Sequence, residues 1–228
     1  MPKNSVRAGI KNQVLSGLTL ADFALLKPDL VPVELPVPTQ LETANTRIDA
    51  VYFIESGFAS VVADGPGKRS IEVGIIGRES MTGLPVVLGH DRAPHETYIQ
   101  AAGTGHRLSA AKLRSAIDQS AGLHRSLLRC VHAFLLQTTQ TAVANGRSKN
   151  EARLARWLLM AADRIDGNEL PLSHKFLGLM LGVQRPAVTV AVQALVRKGL
   201  IRAGREAIAI SNRKGLLSLS NGTYLPPT

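Results

Sequence analysis

The sequence predicts an α+β chain in three parts: a β-rich half closed as a sandwich or barrel, a long connecting helix, and a helical region ending in a two-stranded wing. Three observations predict it. Short β-branched runs punctuated by Pro and Gly fill roughly the first 110 residues. No Gly or Pro interrupts the stretch from His124 to Asn145. Leu172 to Ile201, "LSHKFLGLMLGVQRPAVTVAVQALVRKGLI", carries the punctuation of two short helices joined by a tight turn.

The size suits one large domain or two modest ones, with 228 residues of which 45% are apolar. The formal charge is +10 and it is uneven. From Ser148 onward there are 12 Lys/Arg against 5 Asp/Glu, whereas the first 147 residues hold 15 against 12. A polyanion partner such as nucleic acid suits that asymmetry. One cysteine, Cys130, excludes an intrachain disulfide, a zinc finger or an iron–sulfur cluster built from this chain's own thiols. The opening "MPKNSVRAGIKNQVL" lacks the apolar core of a signal peptide, and no run is long and apolar enough to span a bilayer. A cytoplasmic protein with no membrane partner is the expectation.

In the β-rich part a leading helix is expected over Asn12–Lys27. Strands follow at Val31–Pro38, Asp49–Ala63 and Arg69–Gly77, with a turn at Asp64–Gly67. Glu96–Ser109 resumes the strand pattern. A short amphipathic helix, "AKLRSAIDQS", comes next. In the long helix Leu127, Val131, Phe134, Thr138 and Thr141 recur at alternating spacings of four and three, the seam of a coiled coil, and predict a dimer helix.

The third part opens with "SKNEARLARWLLMAADRI", where Leu154, Trp157, Leu158 and Ala161 share one face and Arg153, Arg156 and Arg164 lie elsewhere. Asp166-Gly167-Asn168 is a turn. Ser173 is the expected N-cap of the next helix, with Leu177 and Leu181 inward and Gly178 leaving room for a neighbouring helix. Gly182 ends that helix, and Pro186 sits harmlessly in the first turn of the following one. Val188, Val192 and Leu195, with Ala191, form its buried stripe. Gln184, Arg185, Thr189 and Gln193 lie on the other side, with Val190 near the edge. Such a protruding second helix fits the major groove, where the Arg185 fork suits guanine O6 and N7 and Thr189 a phosphate or a thymine methyl. Ser173, His174 and Lys175 begin the supporting helix at phosphate level. "LIRAGREAIAI" predicts two small strands around Gly204-Arg205-Glu206, and "SNRKGLLSLS" a last helix capped by Ser211.

With these elements the chain resembles the Crp/Fnr family of bacterial transcription regulators, most specifically over "EARLARWLLMAADRI…ELPLSHKFLGLMLGVQRPAVTVAVQALVRKGLI" and in the type common among α-proteobacteria. The resemblance implies a cyclic-nucleotide-binding-like β-roll (1–110), connecting and dimerisation helices (111–147) and a winged helix-turn-helix (148–228). It implies a homodimer on a near-palindromic stretch of double-stranded DNA, with RNA polymerase and an unidentified small effector as further partners. By position, Arg185, Pro186 and Thr189 occupy the base-reading places. Pro186 replaces an acidic residue, and Val190 an arginine, of the cyclic-AMP-responsive members, which changes the expected operator.

The sensor half departs further. Those members carry a short helix with Gly-Glu, then an adjacent Arg-Ser or Arg-Thr about ten residues on that clasps the cyclic phosphate. Gly77 and Glu79 stand for the first pair, and His95-Glu96 falls where Arg-Ser belongs. Arg92 lies three residues early. Gly77, Glu79, Arg92 and His95 are the candidate effector pocket. No cofactor is expected, with a cyclic nucleotide or haem as alternatives. A second functional reading is a metal-dependent β-barrel enzyme using "HDRAPHE", which sets His90, Asp91, His95 and Glu96 close together.

Overall fold

The computed structural model describes residues 9–65, 69–167, 169–172, 174–204 and 207–227, without the side chains of Arg69, His174 and Lys175. The chain divides into two compact units, Met1–Ala59 with Ile76–Ala133, and Ser60–Ile75 with Phe134–Thr228.

In the first unit the leading segment forms two helices, α1 (Gln13–Gly17) and α2 (Leu20–Leu26), rather than the one expected. Two caps explain the break. Asn12 accepts from Val14 N and Leu15 N, and Thr19 accepts from Asp22 N, so the chain starts a helix twice, with Leu18 extended between. Next come β1 (Val31–Leu35), β2 (Gln40–Glu42), β3 (Ala50–Ile54), β4 (Phe58–Gly65) and β5 (Arg69–Ile76). After them come the single-turn α3 (Leu84–Val87), β6 (Glu96–Ala101) and β7 (Gly103–Ser109). β7 lies between β1 and β3, antiparallel to both, and β2 pairs antiparallel with β6. In β6 the burial alternates residue by residue, as a strand with one face on a core requires. Phe53, Ile54, Ile99, Leu108 and Leu113 are at the centre of that core. α4 (Ala110–Gln119), capped by Ser109, leads into α5 (Ala121–Arg147), a continuous helix of 27 residues.

In the second unit β4 and β5 pair as a hairpin; part of their expected turn lies outside the described residues. α6 (Asn150–Ala162) is the central helix of this unit. β8 (Glu169–Pro171), α7 (His174–Leu181), α8 (Arg185–Arg197), β9 (Ile201–Ala203), β10 (Ala207–Ile210) and α9 (Arg213–Leu219) complete it. α6 packs on α8 and α9, and Leu154, Leu158, Leu177, Val188, Leu195 and Leu216 are fully buried there. The wing has three strands in the order β8-β10-β9, one more than the sequence suggested. β8 is only Glu-Leu-Pro, too short to show a period of two. Asn212, not Ser211, caps α9, its Oδ1 accepting from Gly215 N at 2.9 Å.

Candidate nucleic-acid interface

α7 and α8 meet across a turn of three residues, Gly182 to Gln184. Gly182 has φ +60°, which an L side chain adopts only with strain. A Cβ there would lie 2.8 Å from Ile71 Cδ1, so glycine is fixed at the turn by both backbone and space. One turn earlier, a Cβ on Gly178 would meet Val183 O at 3.1 Å and Val188 Cγ2 at 3.9 Å. The close approach read from the sequence is therefore the seating of α8 against α7. The proposed N-cap Ser173 lies outside the described residues. His174 and Lys175 open α7, with their side chains not described.

Val188, Ala191, Val192 and Leu195 are buried, as their spacing predicts. Gln184, Arg185, Pro186, Val190 and Gln193 are exposed and Thr189 is partly so. Thr189 turns its hydroxyl back to Arg185 O at 3.2 Å. Val190 is 60% exposed: it belongs to the outward face, not its edge. No acidic residue stands in the first turn of α8, and Arg197 in its last turn and Arg202 on the wing are exposed too. The outward face is cationic at both ends, with Pro186, Thr189, Val190 and Gln193 between. Lys198, just past α8, is tied to Glu151 of α6 at 2.7 Å.

Behind this face a buried polar cluster joins the β4–β5 hairpin to α6. The Glu72 carboxylate accepts from Ser60 Oγ at 2.6 Å and from Trp157 Nε1 at 2.5 Å. Burial pushes its acid constant up to about 8, against the pull of those two donors and of the Arg156 and Arg164 charges. Arg156 and Arg164, expected away from the apolar face of α6, are both buried. Backbone carbonyls accommodate them. Arg156 donates to Thr223 O at 2.9 Å and Gln137 O at 3.1 Å, and Arg164 to Met160 O at 2.7 Å. Burial lowers the Arg156 constant to about 10, partly offset by Glu72.

Residues 152–219 match the family model described as the Crp-like helix-turn-helix domain. This segment is a Crp-like helix-turn-helix domain. Over most of its length the chain shares its fold with solved Crp/Fnr-type proteins. FixK2 from Bradyrhizobium japonicum is 17% identical, with a TM-score of 0.72 over 83% of this chain and 96% of its own. The c-di-GMP-responsive global regulator CLP from Xanthomonas campestris is 16% identical, with a TM-score of 0.67 over 84% and 99%. A CRP-family transcriptional regulator from Thermus thermophilus is 18% identical, with a TM-score of 0.65 over 84% and 97%. No curated protein sequence matches the chain. The fold is thus a cyclic-nucleotide-binding-like β-roll, a long helix and a C-terminal Crp-like domain.

The expected seam of the long helix is covered in part by the chain itself. Leu127 is fully buried inside its own chain, and Val131, Phe134, Thr138 and Thr141 are partly so. The Phe134 ring fills the space a Cβ on Gly74 would need, 2.7 Å from its Cε2, and Thr138 and Thr141 bond back to carbonyls of their own helix. Leu127 and Phe134 of that seam pack on their own chain. The outward apolar row is turned by one position: Leu128, Leu135, Leu136 and Val143 are all exposed. A four-three pattern alone does not distinguish a seam that meets a partner from one that meets the chain's own sheet.

Gly77 and Glu79 lie between β5 and α3, and Arg92 and His95 between α3 and β6. Gly77 N donates to Glu79 Oε1 at 3.2 Å in the turn after β5. Arg92 is exposed and donates to Asn45 O at 2.7 Å. None of Gly77, Glu79, Arg92 and His95 lines the polar cavity of about 180 Å³ walled by Gln40, Glu42, Thr46, Arg47, Tyr52 and Arg107. The short helix starts at Leu84, so the glycine before it is Gly83, not Gly77. Its N–H is already occupied: Glu42 accepts from Gly83 N at 2.5 Å and from Thr97 Oγ1 at 2.7 Å. Burial raises the Glu42 constant, against those two bonds. Sequence spacing could not find Glu42, which comes from a strand some forty residues away.

The metal reading fails on geometry. Among the described residues no three His, Cys, Asp or Glu side chains are placed to hold a metal ion. Glu96 instead accepts from Ala44 N at 3.0 Å and Gln40 Nε2 at 2.5 Å, while His90 and Asp91 point into solvent. Among the described residues no helix is long and apolar enough to cross a membrane.

Proposed function

We propose that the chain is a sequence-specific transcription regulator that binds double-stranded DNA as a homodimer on a near-palindromic operator. Residues 1–110 form the sensor, 111–147 the connecting and dimerisation helices, and 148–228 the DNA-binding domain. α8 is the recognition helix. The observation that carries this is its outward face, where Arg185 protrudes at the start of a helix seated by Gly178 and Gly182. A guanidinium fork there suits the O6 and N7 of guanine. Ser173, His174 and Lys175 keep the phosphate-level role expected of them from the sequence, and Arg202 on the wing supplies a further phosphate contact that fixes register. Gln184, Pro186, Thr189, Val190 and Gln193 complete the reading face.

The dimer forms through the exposed row of α5. Leu128, His132, Leu135, Thr139, Ala142 and Gly146 are all exposed and alternate at four and three, with Leu136 and Val143 alongside. A second copy of the chain is the partner that meets an identical row in parallel and places two recognition helices on one face of DNA. RNA polymerase is a further partner that this class of regulator implies.

A cyclic nucleotide is not the effector in this reading. The Glu42 carboxylate already takes the Gly83 N–H, and Glu96 stands beside the place that clasps a cyclic phosphate in the responsive relatives. A phosphate entering there would meet carboxylates of its own sign. Any small effector of the β-roll is therefore of another class.

The test is a gel-shift titration of Arg185→Ala against a selected operator and a scrambled duplex. Loss of discrimination by about 1–3 kcal/mol, with non-specific binding kept, supports the assignment. Full discrimination by the variant overturns it.

A further inference from the structure

The central row of the outward face of α8 is Pro186, Val190, Gln193 and Arg197, spaced at four, three and four residues. The half of it nearest the helix start, the end that enters a major groove deepest, is apolar. Val190 is 60% exposed, and Pro186 before it is exposed as well. Beside them the Thr189 hydroxyl spends its proton on Arg185 O. Between the Gln184 and Arg185 side chains at the helix start and Gln193 further along, the centre of this face therefore offers a base edge methyl and methylene groups rather than donors.

We infer that Val190 reads the C5-methyl group of thymine. The inference rests on α8 being the recognition helix. A valine forms no hydrogen bond, so it distinguishes base pairs only through an apolar group on their edges. In the major groove the thymine methyl is the one such group displayed. Exposed single hydrophobes are ordinary on protein surfaces. This one stands on the face proposed to meet DNA, about one turn from the guanidinium fork of Arg185. The half-site then carries a guanine for Arg185 and, within about one helical turn of recognition-helix reach, a thymine read by shape and apolar contact. Its sequence preference resides in a methyl group.

The experiment uses the full chain. An operator is selected from a random duplex pool, then remade with deoxyuridine replacing one thymine of each half-site at a time. Base pairing is unchanged and only the methyl is lost. Binding of wild type and Val190→Ala is titrated on each duplex, with thermal melting to confirm that the variant is folded. One thymine per half-site should weaken wild-type binding about fourfold when its methyl is removed, or about fifteenfold with both half-sites changed. That same replacement should cost Val190→Ala less than twofold. If every deoxyuridine duplex binds wild type as well as the thymine duplex does, or if the penalty is undiminished in Val190→Ala, the inference is overturned. A pool that enriches no sequence at all instead overturns the assignment of α8 as the recognition helix, and the two failures are told apart.

Discussion

The indole Nε1 of Trp157 donates to the buried carboxylate of Glu72, joining α6 of the DNA-binding unit to strand β5 of the hairpin that packs with it. Trp157 is the only tryptophan in the chain, so indole fluorescence reports on this one buried site. Burial raises the Glu72 constant from 4.5 to about 8, so the folded unit holds a proton that the unfolded chain releases. Stability from this group is fully present below pH about 4.5 and declines as pH rises through about 8. The full decline is roughly 3–5 kcal/mol. Glu72→Gln keeps an acceptor for the indole and removes the titration. Urea unfolding followed by Trp157 fluorescence at pH 6 and pH 9 should show a smaller loss of stability in the variant than in wild type. An equal loss in both contradicts the assignment.

Gly182→Ala tests the turn between α7 and α8. Its φ of +60° and the Ile71 methyl 2.8 Å from the added Cβ both oppose alanine. The expected cost is about 1–2 kcal/mol by denaturant unfolding. Alanine at the exposed Gly146, where a Cβ meets nothing within 4 Å, should cost nothing and raise the helicity of α5.

The two faces of α5 give opposite outcomes. Leu135→Glu, on the exposed row, should convert the dimer to monomers in sedimentation velocity and leave the melting transition of the monomer cooperative. Leu127→Ala, on the buried row, should lower stability by about 2–5 kcal/mol and leave the oligomeric state unchanged at low temperature. A monomer from Leu127→Ala with no effect of Leu135→Glu would restore the seam read from the sequence.

Cyclic AMP should neither release heat on titration nor raise the melting temperature at millimolar concentration, because ligand bound only to the folded state stabilises it by mass action. A saturable upward shift of the transition would show that Glu42 yields its place to a phosphate.

The helical punctuation of the DNA-binding domain was legible because it depends on single residues with sharp backbone preferences. Gly182 takes a left-handed conformation and Pro186 sits in a first turn, and both do so here. Buried stripes were legible for the same reason: Leu177, Val188 and Leu195 follow the helical period and are buried. What spacing could not show was the partner of a face. Leu127 and Phe134 stand in a seam with the period of an interface yet pack on their own chain. Arg156 and Arg164 look like surface cations until carbonyls brought from distant segments receive them. Glu42 and Glu72 are likewise set by contacts far apart in sequence. The pocket residues carried over from relatives meet a different difficulty: the short helix begins at Leu84, seven residues after Gly77, and the glycine before it is Gly83.

Whether α8 gives a twofold dimer its sequence specificity is decided by selecting bound duplexes from a random pool. The account predicts an inverted repeat whose half-site centres lie about 10–10.5 base pairs apart or a multiple of that, whose binding weakens steeply with salt, and whose enrichment disappears for Arg185→Ala. A pool that enriches no sequence, or an enriched site without twofold symmetry, would contradict it.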